Sequence, residues 1–381
     1  MSDSLLPGST IGVVGGGQLG RMLAQVAHRH GYRVAVLTGG AKDTPAGSIA
    51  EIEISAGFDD ETGIQRLLAE ADVITWEFEN VDATLAAAAR QAGIPVHPSG
   101  SIIADAQDRE REKRALESAG VAVAPWRAAH TLDELREAVA ALGTPVIAKA
   151  ARFGYDGKGQ RRIDVGDDAE TALVWEQLSG ERLVVEAVVP FERELSVVVA
   201  RGQDGDSADH GVMENHHVHH VLDTTVVPAE ISEERSADAR ALARRIADEW
   251  ELVGVLCVEI FDTGRDLIVN EVAPRPHNSG HLTIEAAASS QFEQQFRAIC
   301  GLPLGDGACR PAAMVQLLGD LWSDGEPDWS AALDDPAIRL HLYGKAEPRP
   351  ARKMGHLTCV GDNVAHPLQR AIDARVALSG R

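Results

Sequence analysis

The first hundred residues alternate short apolar runs with amphipathic segments, and this alternation restricts the fold more strongly than any other feature of the chain. Short apolar runs are typical of buried strands, and apolar positions three to four residues apart are typical of helices. The pattern predicts strands at 13–14, 33–37 and 73–76, and helices at 18–30, 61–70 and 82–92. Because strands and helices follow one another in turn, we expect an α/β unit with a parallel sheet and helices on both faces.

The middle of the chain has a different pattern, in which strands follow one another with few helices between them. Strands are predicted at 145–149, 182–186, 194–200, 212–222, 252–261 and 266–272, and helices at 105–119, 167–178, 232–250 and 283–300. Runs of neighbouring strands favour antiparallel pairing and an α+β arrangement. Within the helix at 105–119, the charged run 108–114 predicts a solvent-exposed face.

The composition is that of an ordinary globular protein, with 44% hydrophobic and 25% charged residues among 381. Asp and Glu outnumber Lys and Arg by 58 to 36, and the net charge of −22 opposes binding to nucleic acid. No apolar run approaches the roughly 18 residues that span a bilayer, and the first residues do not resemble a secretion signal. Four scattered cysteines indicate neither a disulfide framework nor a zinc ribbon. We therefore expect a cytoplasmic protein without nucleic-acid or membrane partners.

A glycine-rich turn, GGGQLG at 15–20, joins the first predicted strand to the first helix. It matches the G-x-G-x-x-G pattern of dinucleotide sites, in which amide groups at a helix N-terminus bind phosphate. That pattern also requires an acidic residue after the second strand, whereas Leu37 is followed by TGG at 38–40. Three interpretations stay open: a purely structural turn, a site for the phosphate or ribose of another ligand, and an NAD site.

A second glycine-rich segment follows the predicted strand that ends at Lys149. Its sequence, GYDGKGQ at 154–160, alternates glycines with polar residues, which allows the backbone to come close to an anion. Lys149 and Lys158 could neutralise a phosphate between them. The segment lacks the G-K-[ST] ending of a P-loop, and by itself it predicts a hairpin loop as readily as a phosphate-binding loop.

The segment 257–271 is more informative, because two apolar strands flank the turn sequence DTGRD. A turn near residues 264–265 places Glu259 opposite Asn270 or Glu271 on the neighbouring strand. Two carboxylates opposed among apolar side chains repel each other unless a cation lies between them. Carboxylate and amide oxygens suit Mg²⁺ that carries nucleotide phosphates, so the segment predicts a magnesium site. The alternative is that the two carboxylates lie on opposite faces of the sheet.

These motifs together make the chain similar to the ATP-grasp superfamily and, within it, to the 5-(carboxyamino)imidazole ribonucleotide synthetases of purine biosynthesis. The resemblance covers nearly the whole chain. Besides the segments already described, it rests on WEFENV at 76–81, HPS at 97–99, ENHH at 214–217, NEVAPRPHNSGH at 270–281, YGK at 343–345 and RKMGH at 352–356. The last two blocks are specific to this family, whereas the glycine turn alone is not.

The family fold implied by this resemblance has three parts: an N-terminal α/β domain like that of biotin carboxylase, a central ATP-grasp domain and a small β-rich C-terminal domain. On this chain it implies domains at 1–108, 109–301 and 302–381. The implied reaction joins ATP, bicarbonate and 5-aminoimidazole ribonucleotide through carboxyphosphate and releases ADP and phosphate. The implied cofactors are ATP and Mg²⁺ or Mn²⁺, and the implied assembly is a homodimer.

The resemblance also implies roles for individual residues. It implies ATP binding by Arg109, Lys149, Gly154, Tyr155, Asp156, Gly157, Lys158, Gly159, Gln160, Glu186, Ala187, Val188, Val189, Glu194, His217, Asn270 and Glu271. It implies ribonucleotide binding by Glu77, Tyr155, Asp156, Arg275, Lys345 and Arg352, the last two on the phosphate. It implies that Arg275, His277 and Asn278 act in catalysis beside the bicarbonate, and that Glu259 and Glu271 bind the metal.

Two segments depart from the family pattern. The sequence TGG at 38–40 stands where the family usually has Asp-Pro, and the segment 216–220 contains four histidines. On a strand, His217 and His219 would face one way and His216 and His220 the other. A zinc site is therefore an alternative to exposed histidines there.

Three other functions compete with the carboxylating enzyme. The first is a formate-dependent glycinamide ribonucleotide transformylase of the same superfamily, and the PHNSGH loop together with Lys345 and Arg352 argues against it. The second is a dinucleotide-binding oxidoreductase, which the lack of an acidic residue after Leu37 disfavours. The third is a binding protein without catalysis, against which the presence of both Glu259 and Glu271 argues.

Overall fold

The computed structural model describes residues 4–81, 83–152, 154, 158–178 and 180–378, and in this part of the chain the strands form three sheets. The first sheet is parallel, as the alternation predicts, with the strand order β3-β2-β1-β4-β5. Its strands are β1 (Thr10–Val14), β2 (Arg33–Leu37), β3 (Ile52–Ile54), β4 (Val73–Trp76) and β5 (Val96–His97). The accompanying helices are α1 (Gln18–Arg29), α2 (Glu61–Glu70), α3 (Ala83–Ala92), α4 (Gly100–Ala106) and α5 (Arg109–Ser118).

The second sheet is antiparallel and has the strand order β6-β9-β7-β8. Its strands are β6 (Trp126–Ala129), β7 (Val146–Ala150), β8 (Gln160–Ile163) and β9 (Leu183–Ala187), and its helices are α6 (Leu132–Leu142) and α7 (Asp168–Gln177). Lys149 on β7 pairs with Gln160 on β8, so the glycine-rich segment between them connects the two strands of a hairpin.

The third sheet has the strand order β14-β13-β10-β11-β12-β15-β17-β16 and is antiparallel throughout. Its strands are β10 (Arg193–Arg201), β11 (Ser207–Val218), β12 (Val221–Val227), β13 (Gly254–Asp262), β14 (Leu267–Ala273), β15 (Ala312–Leu318), β16 (Ile338–Leu342) and β17 (Lys353–Val360). The helices of this region are α8 (Glu233–Glu249), α9 (Thr283–Ala286), α10 (Gln291–Ile299), α11 (Trp329–Leu333) and α12 (Ala365–Leu378), with 3₁₀ helices at Asn278–Leu282 and Gly319–Trp322. Because β12 pairs with β15, the C-terminal strands β15, β17 and β16 belong to the same third sheet.

Two predicted helices are divided in the structure. The helix predicted at 105–119 is replaced by α4 and α5, because Asp108 caps α5 by accepting hydrogen bonds from its first amide groups. The helix predicted at 283–300 is replaced by α9 and α10, and Ser290 caps α10 in the same way. In both places a polar side chain that binds backbone amides starts a new helix instead of continuing the old one. The strand predicted at 212–222 is likewise divided into parts of β11 and β12.

One hydrophobic core joins the first sheet to α10, a helix that packs on β10 and β13 of the third sheet. Met22 and Leu23 on α1 pack in a cluster with Phe292 and Phe296 on α10. This packing brings the glycine turn before α1 close to the 3₁₀ helix Asn278–Leu282, which precedes α9 and α10. In the described part of the chain, no helix combines the length and apolar character needed to cross a membrane.

Candidate active site

A cleft of about 860 Å³ is lined by strands of the second and third sheets and by helix and loop residues next to the first sheet. The sequence-predicted residues that line it are Arg109, Lys149, Gly154, Lys158, Gln160, Glu186, Ala187, Val188, Val189, Glu194, His217, Glu259, Asn270, Glu271, Arg275, His277, Asn278, Lys345 and Arg352. Most residues predicted to bind ATP therefore share one cavity with Arg275, Lys345 and Arg352 from the predicted ribonucleotide site, although 243 positions separate Arg109 from Arg352 in sequence.

Among the described residues, two other predicted ones do not line this cleft. Glu77 lies against the glycine turn, and Gly159 lies in the β7–β8 connection. Tyr155, Asp156 and Gly157 lie outside the described residues, so their predicted roles remain predictions.

The carboxylate pair lies on the β13–β14 hairpin. Glu259 and Glu271 are direct cross-strand neighbours, which is one of the two predicted registers. Arg109 Nη1 lies 2.9 Å from Glu271 Oε2, and His277 Nε2 lies 3.1 Å from Glu259 Oε1. Burial tends to raise the pKa of Glu271, but Arg109 and Lys149 outweigh it and lower the pKa to about 2. Glu271 is therefore ionised at neutral pH.

The oxygen atoms of Glu259 and Glu271 fit a divalent cation bound together with a nucleotide. Both are hard donors, and they face each other across two paired strands. Among the residues that the structure describes, no group of three or more His, Cys, Asp or Glu side chains is placed to hold a metal ion. A cation at this pair would therefore need phosphate oxygens as further ligands, which is how Mg²⁺ commonly binds in nucleotide sites.

Glu186 lies between two lysines at the other wall of the cleft. Its Oε2 accepts a hydrogen bond of 2.8 Å from Lys149 Nζ, and its Oε1 lies 3.3 Å from Lys113 Nζ. Burial tends to raise the pKa of Glu186, but Lys149 and Lys113 outweigh it and lower the pKa to about 2. Burial also lowers the pKa of Lys149 against the opposing effect of Glu186. The predicted phosphate-binding lysine thus has a fixed carboxylate partner.

The prediction that the run 108–114 forms a solvent-exposed face is wrong. Glu112 and Lys113 are only 2% and 0% exposed, and Asp108 and Glu110 are also buried. These side chains are buried because distant parts of the chain supply partners: Arg182, just before β9, binds Asp108 and Glu110, and the amide of Val272 on β14 donates to Glu112. Charge density alone could not reveal this, because an exposed helix can carry the same sequence.

The loop after β14 presents His277 and Asn278 to the cleft. His277 Nδ1 lies 2.9 Å from Ser279 Oγ, and Gln18 Nε2 donates a hydrogen bond of 3.4 Å to Asn278 Oδ1. Burial opposes a positive charge on His277, but Cys257 and Glu259 outweigh it and raise the pKa of His277 to about 10. A protonated His277 next to Asn278 suits the binding of a small anion.

Arg275 is held by a carboxylate that the sequence interpretation missed. Its Nη2 donates a hydrogen bond of 2.9 Å to Glu79 Oε1, and its Nε donates to Glu79 Oε2. This bidentate pair connects the loop after β14 to the segment after β4. Burial raises the pKa of Glu79, but Arg275 outweighs it and lowers the pKa overall. The WEFENV motif contained the signal, but it gave no reason to prefer Glu79 to Glu77 as the side chain in the cleft.

Glu77 occupies the glycine turn. Its Oε1 accepts a hydrogen bond of 3.3 Å from the amide of Leu19. A Cβ atom added to Gly15 or Gly17 would lie 2.4 Å or 2.3 Å from the oxygens of this carboxylate, so the glycines are needed to admit it. Burial raises the pKa of Glu77 to about 7, against the opposing effect of Arg275. Because the chain's own carboxylate fills the N-terminus of α1, a pyrophosphate has no room there, and the NAD interpretation of the turn is wrong.

A basic segment from the C-terminal region forms the other end of the cleft. Lys345 Nζ donates a hydrogen bond of 2.8 Å to the carbonyl of Lys353, and Arg352 Nη1 donates one of 2.7 Å to the carbonyl of Glu347. Arg349 and Lys353 also line the cleft. The sequence interpretation did not select these two residues, although they belong to the same basic cluster.

The histidine-rich segment forms a strand end and a turn. His217 faces the cleft and its Nδ1 is hydrogen bonded to Glu194, as expected from the predicted roles of these two residues near ATP. The prediction that His219 and His220 lie on a strand is wrong, because both have positive φ angles, 51° and 66°, between the paired residues Val218 and Val221. They are the two central residues of a tight hairpin.

Comparisons with known proteins agree with this geometry. Three family models match: a ribonucleotide synthetase preATP-grasp domain over residues 8–107, an ATP-grasp domain over 114–292 and a phosphoribosylaminoimidazole carboxylase C-terminal domain over 312–370. With the fold and the cleft, these matches define an ATP-grasp enzyme, a ligase that consumes ATP and produces ADP.

Whole-chain relatives specify the family. N5-carboxyaminoimidazole ribonucleotide synthase of Bacillus subtilis is 41% identical over 94% of this chain and 93% of that protein, and that of Brucella melitensis is 42% identical over 93% and 97%. The chain belongs to the N5-carboxyaminoimidazole ribonucleotide synthase family.

Solved structures agree. The ADP complex of an N5-carboxyaminoimidazole ribonucleotide synthetase has a TM-score of 0.92 at 40% identity and covers 99% of this chain and 98% of its own. The Aspergillus clavatus enzyme with ADP and 5-aminoimidazole ribonucleotide has a TM-score of 0.88 at 29% identity, over 99% of this chain and 100% of its own.

Proposed function

We propose that this protein carboxylates 5-aminoimidazole ribonucleotide to N5-carboxyaminoimidazole ribonucleotide in purine biosynthesis, using ATP and bicarbonate. Bicarbonate attacks the γ-phosphate, which releases ADP and forms carboxyphosphate. The exocyclic amine of the ribonucleotide then takes up the carboxylate group, and phosphate leaves. Family membership supports this activity, and the observation that carries it is the single cleft that joins the Lys149–Glu186 and Glu259–Glu271 clusters to Lys345 and Arg352.

The residues in the cleft divide between the substrates. Lys149, Lys158 and Arg109 bind the phosphates of ATP, where positive charge stabilises the transferred phosphoryl group. The segment 186–189 and the Glu194–His217 pair contact the adenosine part. The remaining predicted ATP ligands are Gly154, Tyr155, Asp156, Gly157, Gly159, Gln160, Asn270 and Glu271.

The residues between the two clusters handle the small anion. Arg275, His277 and Asn278 place bicarbonate between the phosphates of ATP and the amine of the ribonucleotide. Lys345 and Arg352 bind the phosphate of the ribonucleotide. Glu77, Tyr155 and Asp156 contact other parts of the same substrate. An acyl phosphate hydrolyses readily, so a cleft that excludes water protects it until the amine attacks.

Glu259 and Glu271 would hold Mg²⁺ together with the phosphates of ATP. The cation neutralises negative charge on those phosphates when it is bound. The pair would accept Mn²⁺ through the same oxygen atoms.

The proposal includes a homodimer in the cytoplasm, with domains at 1–108, 109–301 and 302–381. All four cysteines are free thiols, which suits a reducing compartment. Light scattering on the eluted peak of a size-exclusion column measures the assembly, and a monomer mass would contradict that part of the proposal.

The deciding experiment measures phosphate release from ATP with two acids crossed against two ribonucleotides. Bicarbonate and formate are each combined with 5-aminoimidazole ribonucleotide and with glycinamide ribonucleotide, and the product is identified by mass spectrometry. We expect rapid ADP formation only with bicarbonate and 5-aminoimidazole ribonucleotide. Turnover with formate and glycinamide ribonucleotide instead would assign the chain to the transformylase reaction.

A further inference from the structure

Lys113 is a buried cation behind the wall of the cleft. Its side chain is 0% exposed, and it is not among the residues that line the cavity. Its Nζ donates a hydrogen bond of 2.9 Å to the carbonyl oxygen of Asn270 and lies 3.3 Å from Glu186 Oε1. A lysine is rarely buried unless its charge is paired, and here the two partners belong to two different sheets.

The first partner lies next to the carboxylate pair. β14 is an edge strand of the third sheet, and Glu112 and Lys113 form hydrogen bonds with two of its backbone groups. Lys113 donates a hydrogen bond to the carbonyl of Asn270, and Glu112 accepts a hydrogen bond of 2.8 Å from the amide of Val272. Glu271 lies between Asn270 and Val272 in sequence, so α5 fixes the main chain on both sides of Glu271.

The second partner lies on the opposite wall. Glu186 on β9 binds Lys113 through one oxygen and Lys149 through the other. Lys113 therefore pairs with one oxygen of the Glu186 carboxylate, and the other oxygen accepts a hydrogen bond from the ammonium group of Lys149. The chain of contacts runs from the backbone at Asn270 through Lys113 and Glu186 to Lys149, across both walls of the cleft.

We infer that Lys113 is a positioning residue for phosphoryl transfer, which sets the placement of Lys149 relative to Glu271 without touching a substrate. Phosphoryl transfer depends on the positions of cations around the phosphates, and small displacements lower the rate strongly. Arg109, one turn earlier on α5, binds Glu271 directly, so the same helix holds this carboxylate and the main chain beside it. The inference rests on the proposed ATP-binding role of this end of the cleft.

The test compares Lys113→Met with its neighbour Arg114→Met. Arg114 is 68% exposed and pairs with Glu110 on the same helix, so its replacement removes the same charge without removing any contact of Lys113. We expect Lys113→Met to lower kcat/KM for ATP by about tenfold to a hundredfold, which is typical of residues that orient a direct ligand. Arg114→Met should stay within about twofold of the parent. KM for 5-aminoimidazole ribonucleotide should not change in either variant.

A double variant separates positioning from a general structural role. In a Glu186→Gln background, Lys113→Met should have a smaller effect, under about threefold, because the two residues act through one contact. If the two substitutions multiply as independent effects, the inference is wrong. It is also wrong if Lys113→Met folds and retains a kcat/KM for ATP within about twofold of the parent.

Lys113→Gln covers the case in which the methionine variant does not fold. Glutamine keeps a donor for the carbonyl of Asn270 and removes the charge beside Glu186, and we expect a loss of at least about tenfold. If the glutamine variant also fails to fold, Lys113 serves folding and the inference is overturned. Calorimetry on the same proteins measures their ADP affinity, and this measurement does not depend on the carboxylation reaction. A failure of the proposed activity is thereby distinguished from a failure of the positioning role.

Discussion

The two ends of the cleft hold their cations in different ways. At the nucleotide end, Lys149 and Arg109 are paired with the carboxylates Glu186 and Glu271. At the ribonucleotide end, Lys345 and Arg352 donate to main-chain carbonyl oxygens on a partly exposed segment. A carboxylate partner fixes a cation and offsets its charge, whereas a main-chain carbonyl orients a cation. The first end therefore combines cations with carboxylates, as a metal-bound nucleotide requires, and the second presents oriented cations that suit a phosphate.

Removing one charge from the carboxylate pair at the nucleotide end should have the largest effect on turnover. Glu271→Gln takes away an anion that binds Arg109 and, in the proposed function, the metal. We expect kcat for phosphate release to fall at least about a hundredfold, because such sites depend on charge stabilisation worth several kcal/mol.

The matched control is Glu249→Gln at the exposed end of α8, which makes the same chemical change away from the cleft. Circular dichroism and the unfolding temperature show whether each variant is folded. A folded Glu271→Gln enzyme with near-parental turnover at ordinary Mg²⁺ would refute the metal assignment.

Truncating the cations at the other end should affect a different parameter. Lys345→Ala and Arg352→Ala should each raise KM for 5-aminoimidazole ribonucleotide by about tenfold to a hundredfold, because a charge-assisted hydrogen bond contributes roughly 1.5–3 kcal/mol. ATP affinity without the ribonucleotide should not change. Lys42→Ala, an exposed lysine in the N-terminal part, is the control. Parental KM values in both variants would place the substrate phosphate elsewhere.

The glycine turn allows a test based on pH. Burial raises the pKa of Glu77 from 4.5 to about 7, so the folded state binds this proton more tightly than the unfolded state. The resulting stabilisation is complete below pH 4.5 and is lost as the pH rises through about 7. Glu77→Gln lacks this loss, so relative to the parent it should gain about 1–2 kcal/mol of unfolding free energy between roughly pH 5 and pH 8.

Urea unfolding of Glu77→Gln and the parent at both pH values measures this difference. Any constant effect of the substitution on the hydrogen bonds of Glu77 cancels in the comparison. Parallel pH dependences for the two proteins would mean that Glu77 has an ordinary pKa and that ionising it in the turn does not lower the unfolding free energy.

The smallest expected effect concerns the turn at His219 and His220, which belongs to neither set of cations. Both residues adopt positive φ angles, where Asn and Gly are less strained. His219→Asn combined with His220→Gly should raise the unfolding free energy by about 0.5–1 kcal/mol, as measured by urea unfolding. A marked loss of stability would indicate that the histidines have a role that their backbone conformation does not explain.

The order of strands and helices could be predicted well, because it depends on local periodicity. The parallel first sheet, the β7–β8 hairpin and the β13–β14 hairpin all follow from short stretches of sequence, although these left Glu259 opposite either Asn270 or Glu271. The predictions that fail concern interruptions and exposure: the helix break at Asp108, the turn at His219, and the exposed face at 108–114. Each depends on a cap, a turn or a partner that hydrophobic pattern does not contain.

The sequence by itself determined the family, the two sets of cationic residues and the carboxylate hairpin, because these lie in short motifs whose residue types and spacing have direct chemical meaning. Only the tertiary structure decided the partners of each charge: that Glu79 binds Arg275, that Glu77 fills the glycine turn, and that Lys113 is buried between two sheets. The physical reason is that an ionised side chain has the same intrinsic preference for water wherever it occurs in a sequence. Its burial depends on a partner that folding brings from far along the chain, and no local pattern specifies that partner.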